Sequence, residues 1–327
     1  MPETGPVSAA DALAPPGRGV SASAPEAASV AEAADGKGRE EARELKARVR
    51  RYYAAATEDY LKYYQADWHH HMHYGFDRGL PKGGNPTEHM VRYLAGFAGL
   101  KAGERLLDAG CGVGGSSIFL ARELGLVCSG ITLMEAQARL AKGFAARGVP
   151  GDGGGRARFA VNDFHHPAFK PGRFDAIWAL ESFDHAVDKR AWVAAMYRLL
   201  KPGGRLLIAD GFRTGTPRDA AQRKAYDAFL AGWAVPHLCT PAELDGWAAE
   251  AGFAEARSED ISADVMPHAR AIFRFGLLFI PVRWALARLG WTSREKLGNA
   301  VATYYQYLTF RDGLWEYRVH CYRKPAA

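Results

Sequence analysis

The sequence predicts an α/β fold: a doubly wound, Rossmann-like sheet of seven strands, the last antiparallel, with an N-terminal helical cap and a helical lid insertion. From about residue 104, short apolar segments alternate with amphipathic helical segments, which is typical of a parallel sheet covered by helices on both faces. A glycine-rich loop follows the first apolar segment. The 327 residues, 48% of them hydrophobic, suffice to bury such a core.

Apolar runs of four to nine residues mark the individual strands. The strands are predicted at residues 105–108, 126–131, 156–161, 174–180, 205–209, 255–261 and 314–322. Helices are predicted at 87–97 and 116–124. A further helix is expected to start at Thr132, because Thr132 and Glu135 have the spacing of a capping box.

The composition divides the chain into three parts. Residues 1–40 contain no aromatic residue and are rich in Ala, Pro, Gly, Ser, Asp and Glu, so we expect a disordered tail. Helical periodicity makes residues 41–100 a helical cap. Residues 101–327 form the main domain, with helical lid insertions expected at about 212–240 and 264–312.

Charge and cysteine content exclude several classes of protein. The net charge is +6, and the four cysteines lack paired spacing, so no disulfide framework or zinc knuckle is expected. Without a signal peptide the expected location is the cytoplasm. The longest apolar stretch, 275–289, is interrupted by Pro281, Arg283 and Arg288, so no bilayer-spanning segment is expected.

The glycine loop after the first strand predicts a ligand that approaches the backbone closely. Asp108 is followed by Gly110, Gly112 and Gly114, glycines that permit a sharp turn and close contact. The spacing alone fits a nicotinamide dinucleotide site as well as an S-adenosylmethionine site.

Three neighbouring features favour S-adenosylmethionine. The end of the second strand, 130–133, carries no carboxylate, which a dinucleotide site needs for the ribose. Asp108 would repel a pyrophosphate but suits a ligand with an ammonium and a sulfonium group. Residues 201–204 form a Pro-Gly turn before the fifth strand. A nicotinamide-dependent oxidoreductase is the alternative from another enzyme class.

These segments together resemble class I S-adenosylmethionine-dependent methyltransferases. Residues 108–115 resemble their first motif, 162–164 their adenine-binding motif, and 201–204 their turn before strand five. The resemblance covers 101–211 and implies S-adenosyl-L-methionine as the cofactor. It implies cofactor contacts for Tyr74, Asp108, Gly110, Gly112, Gly114, Thr132, Leu133, Gln137, Asp163 and Phe164.

A narrower resemblance is carried by 130–133 with Gln137, by 178–185, and by 71–75. These segments are similar to the γ-tocopherol and sterol C-methyltransferase branch, and the histidine-rich stretch also resembles prenyl diphosphate C-methyltransferases. The branch usually lacks the second-strand carboxylate. It implies that Thr132 and Gln137 face the ribose of the cofactor.

Glu181 and His185 are the candidate catalytic residues. Methyl transfer is an in-line displacement in which the protein aligns the acceptor, excludes water and manages one proton. Glu181 follows strand four, whose carboxyl end faces the cleft of an open sheet. We expect Glu181 to remove the proton after methylation of an alkene, and the resemblance implies this role. His185 would be the general base for a phenol.

Dense aromatic residues in the segments that cover the cleft favour an apolar pocket. Together with the resemblance, this predicts a small apolar acceptor, isoprenoid or lipid-like, methylated at carbon in specialised metabolism. Phenol O-methylation, N-methylation of an alkaloid-like molecule and cyclopropane formation are alternatives within the class. No nucleic-acid partner is expected, because no Asn-Pro-Pro-Tyr-like motif or Pro-Cys nucleophile follows strand four.

Two features remain open. His69 and His73 would share a helical face, but no carboxylate or cysteine stands at ligand spacing, so no metal is expected unless a prenyl diphosphate substrate brings Mg²⁺. The basic and apolar insertion near 263–310 fits a lipid-sized tunnel, a peripheral membrane contact, a diphosphate site or a solvated lid. The oligomeric state is open, a homo-oligomer included.

Overall fold

The computed structural model describes residue 40 and residues 43–57, 70–148 and 155–326. Apart from residue 40, the predicted tail lies outside these residues, and so does His69. Contacts divide the chain into the units Met1–Arg43 and Glu44–Ala327. All elements described below belong to the second unit, whose described part begins in a helix.

A seven-stranded sheet with strand order β3-β2-β1-β4-β5-β7-β6 forms the centre of this unit. The strands are β1 Arg105–Ala109, β2 Val127–Thr132, β3 Arg156–Val161, β4 Phe174–Leu180, β5 Leu200–Arg213, β6 Glu255–Asp260 and β7 Trp315–Arg323. Strand β7 is antiparallel to both of its neighbours, and β1 to β5 pair in parallel. The predicted fold class is confirmed. The strand order reverses between β1 and β4, where open α/β sheets bind ligands.

Helices cover both faces of the sheet. They are α1 (44–57), α2 Pro86–Ala98, α3 Gly115–Leu124, α4 Glu135–Gly148, α5 Lys189–Leu199, α6 Ala220–Gly232, α7 Pro241–Ala251, α8 Ser262–Arg288 and α9 Arg294–Arg311. Successive residues of a strand point to opposite faces of the sheet. Leu106 of β1 accordingly packs in one hydrophobic cluster, and Leu107 packs in a second one. Because both faces are buried, ligands reach the sheet at its carboxyl edge.

Helix α2 shows how local sequence fixes an element beside the site. The Asn85 side chain accepts hydrogen bonds from the amides of Thr87 (2.8 Å) and Glu88 (3.1 Å), and Pro86 occupies the first turn. Gly99 ends the helix at φ +60°. The first turn of α2 is therefore held firmly at the rim of the cleft.

Two predicted boundaries were wrong. Thr132 is the last residue of β2, and its hydroxyl accepts from the Met134 amide (3.2 Å) instead of capping a helix that starts at Thr132. Glu135 is the first residue of α4 and pairs with Arg139. Strand β5 runs well beyond the predicted 205–209, because its register with β7 continues as far as Arg213. Tertiary pairing lengthened that strand.

Candidate active site

The glycine loop after β1 is closely covered by its neighbours. Gly110 adopts φ +106°, and a side chain there would lie 2.4 Å from the Cβ of Ser182. A side chain on Gly115 would lie 2.1 Å from the carbonyl oxygen of His70. The backbone around His70 therefore crosses directly over the loop, and both positions require glycine.

A cavity opens beside this loop, between the carboxyl end of β2 and the segment 70–73. Seven predicted cofactor contacts line it: Asp108, Gly110, Gly112, Thr132, Leu133, Gln137 and Phe164. Tyr74, Gly114 and Asp163 do not line it. Gly114 instead faces the Phe159 ring, which a Cβ would approach to 2.6 Å.

Asp108 places one carboxyl group in this cavity. Its Oδ2 accepts a hydrogen bond from the Ser117 hydroxyl (2.7 Å). Burial raises the pKa of Asp108 to about 6, although the Ser117 bond opposes the shift. A cationic group placed nearby would favour the ionised carboxylate. The site therefore suits the ammonium and sulfonium groups of the expected cofactor.

A chain of side-chain hydrogen bonds ties α1 to the end of β2. The Thr132 hydroxyl donates to Gln137 Oε1 (2.7 Å), and Gln137 Nε2 donates to the Thr57 hydroxyl (3.2 Å). All three side chains are buried. Thr132 and Gln137 are thus brought together at the cavity wall, while Thr57 is a partner that the sequence pattern did not reveal.

Asp163 is held by two neighbouring basic side chains. It pairs with Lys46 of α1 (2.5 Å) and accepts from the amide (2.9 Å) and ring (3.0 Å) of His165. Burial opposes ionisation, but the bonds from His165 and Lys46 hold the Asp163 pKa below its usual range. In this structure the carboxylate anchors α1, a long-range contact absent from any local motif.

A second cavity adjoins the first and has an aromatic wall. Its lining includes Tyr74, Phe229, Trp233, Trp315 and Tyr317. Six residues line both cavities: Tyr53, His71, Met72, His73, Glu181 and His185. Both predicted catalytic residues are thus at the junction. Tyr74, expected at the cofactor, lies on the other side, where its hydroxyl donates to Gln306 (2.7 Å).

Glu181 has a strained backbone and a fixed side chain. It follows β4 in the left-handed region, at φ +49°, a conformation that is uncommon for a residue with a Cβ. Its Oε1 accepts hydrogen bonds from the Tyr74 amide (2.7 Å) and the Tyr317 hydroxyl (2.8 Å). Burial raises the Glu181 pKa to about 8, and these two bonds moderate the shift.

His185 ends a short 3₁₀ turn next to Glu181. Its Nε2 lies 3.0 Å from the Tyr53 hydroxyl, and its Nδ1 lies 3.4 Å from the carbonyl oxygen of Ala234. A carbonyl can only accept, so Nδ1 carries the proton and Nε2 accepts from Tyr53. Burial lowers the His185 pKa to about 4, which keeps the ring neutral at physiological pH.

Two further carboxyl groups, Asp184 and Asp210, line the aromatic cavity. Asp210 lies on β5 and accepts from the amides of Asp184 (3.1 Å) and Gly211 (2.8 Å). Burial raises the pKa of both carboxyl groups, and their mutual repulsion adds to the shift of Asp210. Sequence reasoning missed Asp210 because β5 was predicted to stop at residue 209.

The described part of the histidine stretch is irregular rather than helical, and His70 has a left-handed backbone conformation at φ +59°. Residues 70–77 contain no helix, so the predicted helical face with His73 was wrong. His73 Nε2 lies 3.1 Å from His71 Nδ1, and burial lowers the His73 pKa to about 4. Within the described ranges, no three His, Cys, Asp or Glu side chains are grouped to hold a metal ion.

The sequence model of the family described as "Methyltransferase domain" matches residues 84–256, more than half of the chain. The chain belongs to this methyltransferase family. The methyltransferase is similar to a "Probable tocopherol O-methyltransferase, chloroplastic" of Oryza sativa subsp. japonica, with 28% identity over 80% of this chain and 75% of the relative.

Two solved structures share the fold of the methyltransferase. One is the [4+2]-cyclase SpnF, with TM-score 0.67, 21% identity, and coverage of 85% of this chain and 96% of that chain. The other is a geranyl diphosphate C-methyltransferase from Streptomyces coelicolor A3(2), with TM-score 0.63, 22% identity, and coverage of 86% and 98%. At these identities the likeness shows the fold alone.

The methyltransferase depends on S-adenosylmethionine, which removes the nicotinamide alternative. The glycine loop and the buried Asp108 fit this cofactor. The cavity that they line meets the aromatic cavity at Glu181. When bound, the cofactor supplies an electrophilic methyl group on a sulfonium. The chain itself supplies segment 70–73 as one wall of the cofactor cavity and fixes Glu181 Oε1 with two hydrogen bonds, beside the aromatic wall of the second cavity.

Proposed function

We propose that this enzyme methylates a neutral, largely apolar small molecule at a carbon of an alkene or prenyl chain. The observation that carries the proposal is the position of Glu181. Its carboxyl group is buried at the junction of the two cavities and held by two donors. Methylation of an alkene leaves a carbocation, which must then lose a proton to a base.

The aromatic cavity supports such a reaction. Tyr74, Trp233 and Tyr317 line the same cavity as Glu181, and aromatic faces stabilise a developing cation. The positive charge of a cofactor in the adjoining cavity, which Glu181 also lines, would lower the cost of ionising Glu181, and its proton would pass to solvent before methyl transfer. The carboxylate would then take the proton that the methylated carbon releases, which completes the alkene product.

The charges of the cavity argue against a diphosphate acceptor. In the described part of the chain, its lining includes three carboxyl groups, Glu181, Asp184 and Asp210, and no lysine or arginine. A diphosphate requires cationic partners, and these carboxyl groups supply none. The S. coelicolor structure is described with Mg²⁺ and geranyl-S-thiolodiphosphate. For this chain we propose an acceptor without diphosphate, and therefore without Mg²⁺.

Phenol O-methylation is the second candidate, and the Tyr53–His185 pair favours it. Neutral His185 presents Nε2 to a hydroxyl at 3.0 Å, so an acceptor hydroxyl that replaced Tyr53 there could give up its proton to the ring. The printed name of the rice relative, a tocopherol O-methyltransferase, supports the same reaction.

A matched acceptor panel tests the proposal. The enzyme is incubated with S-adenosylmethionine and a prenylated phenol, its methyl ether, a prenyl alcohol or the corresponding prenyl diphosphate, and products are analysed by mass spectrometry. Carbon methylation predicts turnover of both the phenol and its ether. Turnover of the free phenol alone would favour O-methylation, and preference for the diphosphate over the alcohol would overturn the neutral acceptor.

A further inference from the structure

Exposed large apolar side chains are concentrated on one part of the described surface. The described residues include seven such side chains, and six of them lie on α8 or in the turn that follows it. We call these six the α8 patch: Leu277, Leu278, Val282, Trp284, Leu289 and Trp291. The seventh, Val161, lies at the end of β3. Leu278 and Trp291 are 73% and 75% exposed. Contiguous exposure of this kind marks an interaction site.

The patch follows one face of the helix. At about 100° per residue, Leu278, Val282 and Leu289 fall on one stripe, and Leu277 and Trp284 lie roughly 100–120° around the helix from Leu278, so the patch spans about 160° of the side opposite Val265, Ala269 and Gly276. The buried residues of α8 are Val265, Ala269 and Gly276, so the patch begins where burial ends. The second half of α8 therefore presents an apolar face that the rest of the described chain leaves uncovered.

Positive charge surrounds the patch. Residues 265–311 contain seven Arg or Lys and one Glu, a net +6 that equals the charge of the whole chain. Exposed Arg274 precedes the patch, and the Arg288 guanidinium lies 4.0 Å from the centre of the Trp284 ring. An apolar stripe with tryptophan and flanking arginines is typical of a helix in the interface of an anionic membrane.

We propose that the α8 patch inserts into the headgroup region of an anionic lipid bilayer, with α8 parallel to its surface. A second copy of the chain fits less well, because a two-fold contact would bring two +6 surfaces together. By length and composition alone, α8 is the one described helix that could cross a membrane, with 17% of its most apolar stretch buried. Its close packing against α9 at Gly276 and Thr303 favours a surface position.

The position of α8 connects this surface with the acceptor cavity. Ile272 and His268, in the first half of the helix, line that cavity, and the patch continues from Leu277 along the same helix. If the acceptor is apolar, as the proposed function holds, it could move from the bilayer along α8 to Glu181. Membrane binding itself does not depend on the identity of the acceptor.

Vesicle sedimentation tests the proposal directly. The full chain is mixed with phosphatidylcholine vesicles with and without phosphatidylserine, and bound protein is measured as a function of salt. We expect binding that requires phosphatidylserine and weakens with salt. The double variant Leu278→Ser/Trp291→Ser should bind at least tenfold more weakly, and Arg274→Gln about fivefold.

Val161→Ser is the matched control, because it removes an exposed apolar side chain elsewhere and should bind like the wild type. All variants should keep the wild-type melting temperature, since the changed side chains are exposed. The proposal would be overturned if the wild-type protein bound neither type of vesicle. So would equal losses in Val161→Ser and the double variant, or a concentration-dependent dimer that the double variant abolishes while vesicle binding is unaffected.

Discussion

The two cavities that meet at Glu181 are built in different ways. The cofactor cavity is lined mainly by the carboxyl ends of β1 and β2 and by the loops and first helical turns that follow β1, β2 and β3. The acceptor cavity combines Tyr53 of α1, Trp233 after α6, Ile272 of α8 and Tyr317 of β7. One site thus depends on short motifs, and the other depends on the packing of distant elements.

The two sides also differ in their ionisable groups. Apart from the shared Glu181, the described lining of the cofactor side has one carboxyl group, Asp108, whose pKa is about 6. The acceptor side has Glu181, Asp184 and Asp210, all with raised pKa values, beside neutral His185. Several buried carboxyl groups with raised pKa values suit the acceptor side to hold and transfer a proton. The cofactor side, with fewer ionisable groups, is suited to bind the cofactor.

Replacing Glu181 should have the largest effect on turnover, and it should do so without a matching loss of cofactor affinity. Glu181→Gln keeps an oxygen for the Tyr74 amide and the Tyr317 hydroxyl but removes the base. We expect turnover to fall about 10²–10⁴-fold, with adenosylhomocysteine affinity, measured by calorimetry, nearly unchanged. Mass spectrometry should also detect rearranged or water-quenched products from the trapped cation. Near wild-type turnover would contradict the role of Glu181 and leave His185 as the leading base.

A substitution in the glycine loop should instead lower the affinity for the cofactor. Gly110→Val places a side chain against Ser182 in a left-handed conformation, so adenosylhomocysteine affinity should fall by about 100-fold or more, a loss of roughly 3 kcal/mol. Gly246→Ala, an exposed helical position with open space around it, is the control and should bind normally. The melting temperature and circular dichroism separate lost binding from lost folding; a folded Gly110→Val enzyme with full affinity would refute this role of the loop.

The raised pKa of Glu181 predicts a pH dependence of stability. The folded protein keeps the Glu181 proton up to about pH 8, whereas the unfolded chain loses it near pH 4.5. Between these values the folded state binds more protons, so stability falls as pH rises. The free energy of unfolding of the wild type, relative to Glu181→Gln, should fall by roughly 2–4 kcal/mol from pH 5 to pH 8. Parallel denaturation profiles for the two proteins would show that burial does not shift this group.

The smallest effect is expected at Tyr53, which belongs to both cavities. Tyr53→Phe removes the hydroxyl that bonds to His185 Nε2 and should lower turnover about three- to tenfold, the value of one hydrogen bond. The pH profile gives a second measurement: the Tyr53 hydroxyl donates to the neutral ring, so its loss should raise the His185 pKa slightly, while burial still keeps that pKa below its usual value. A reduction confined to protein stability, with an unchanged profile, would make Tyr53 structural only.

The sequence alone determined the fold class, the cofactor and the position of Glu181. These depend on short-range rules: strand periodicity places the elements, glycines at 110, 112 and 114 form the loop, and a carboxyl after β4 must face the cleft. The boundaries of β5 and α4 were less accurate, because strand pairing and a side-chain bond decided them. The sequence of one element does not record what it will pack against.

Only the tertiary structure decided the acceptor side. Tyr74 lines the aromatic cavity and Asp163 forms an ion pair with Lys46, two contacts that no local motif predicts. The partnership of Tyr53 with His185 spans 132 residues, and no spacing rule reaches that far. Local periodicity reports which face of an element is buried; which elements meet, and hence which side chains share a cavity, follows from the packing of the whole chain.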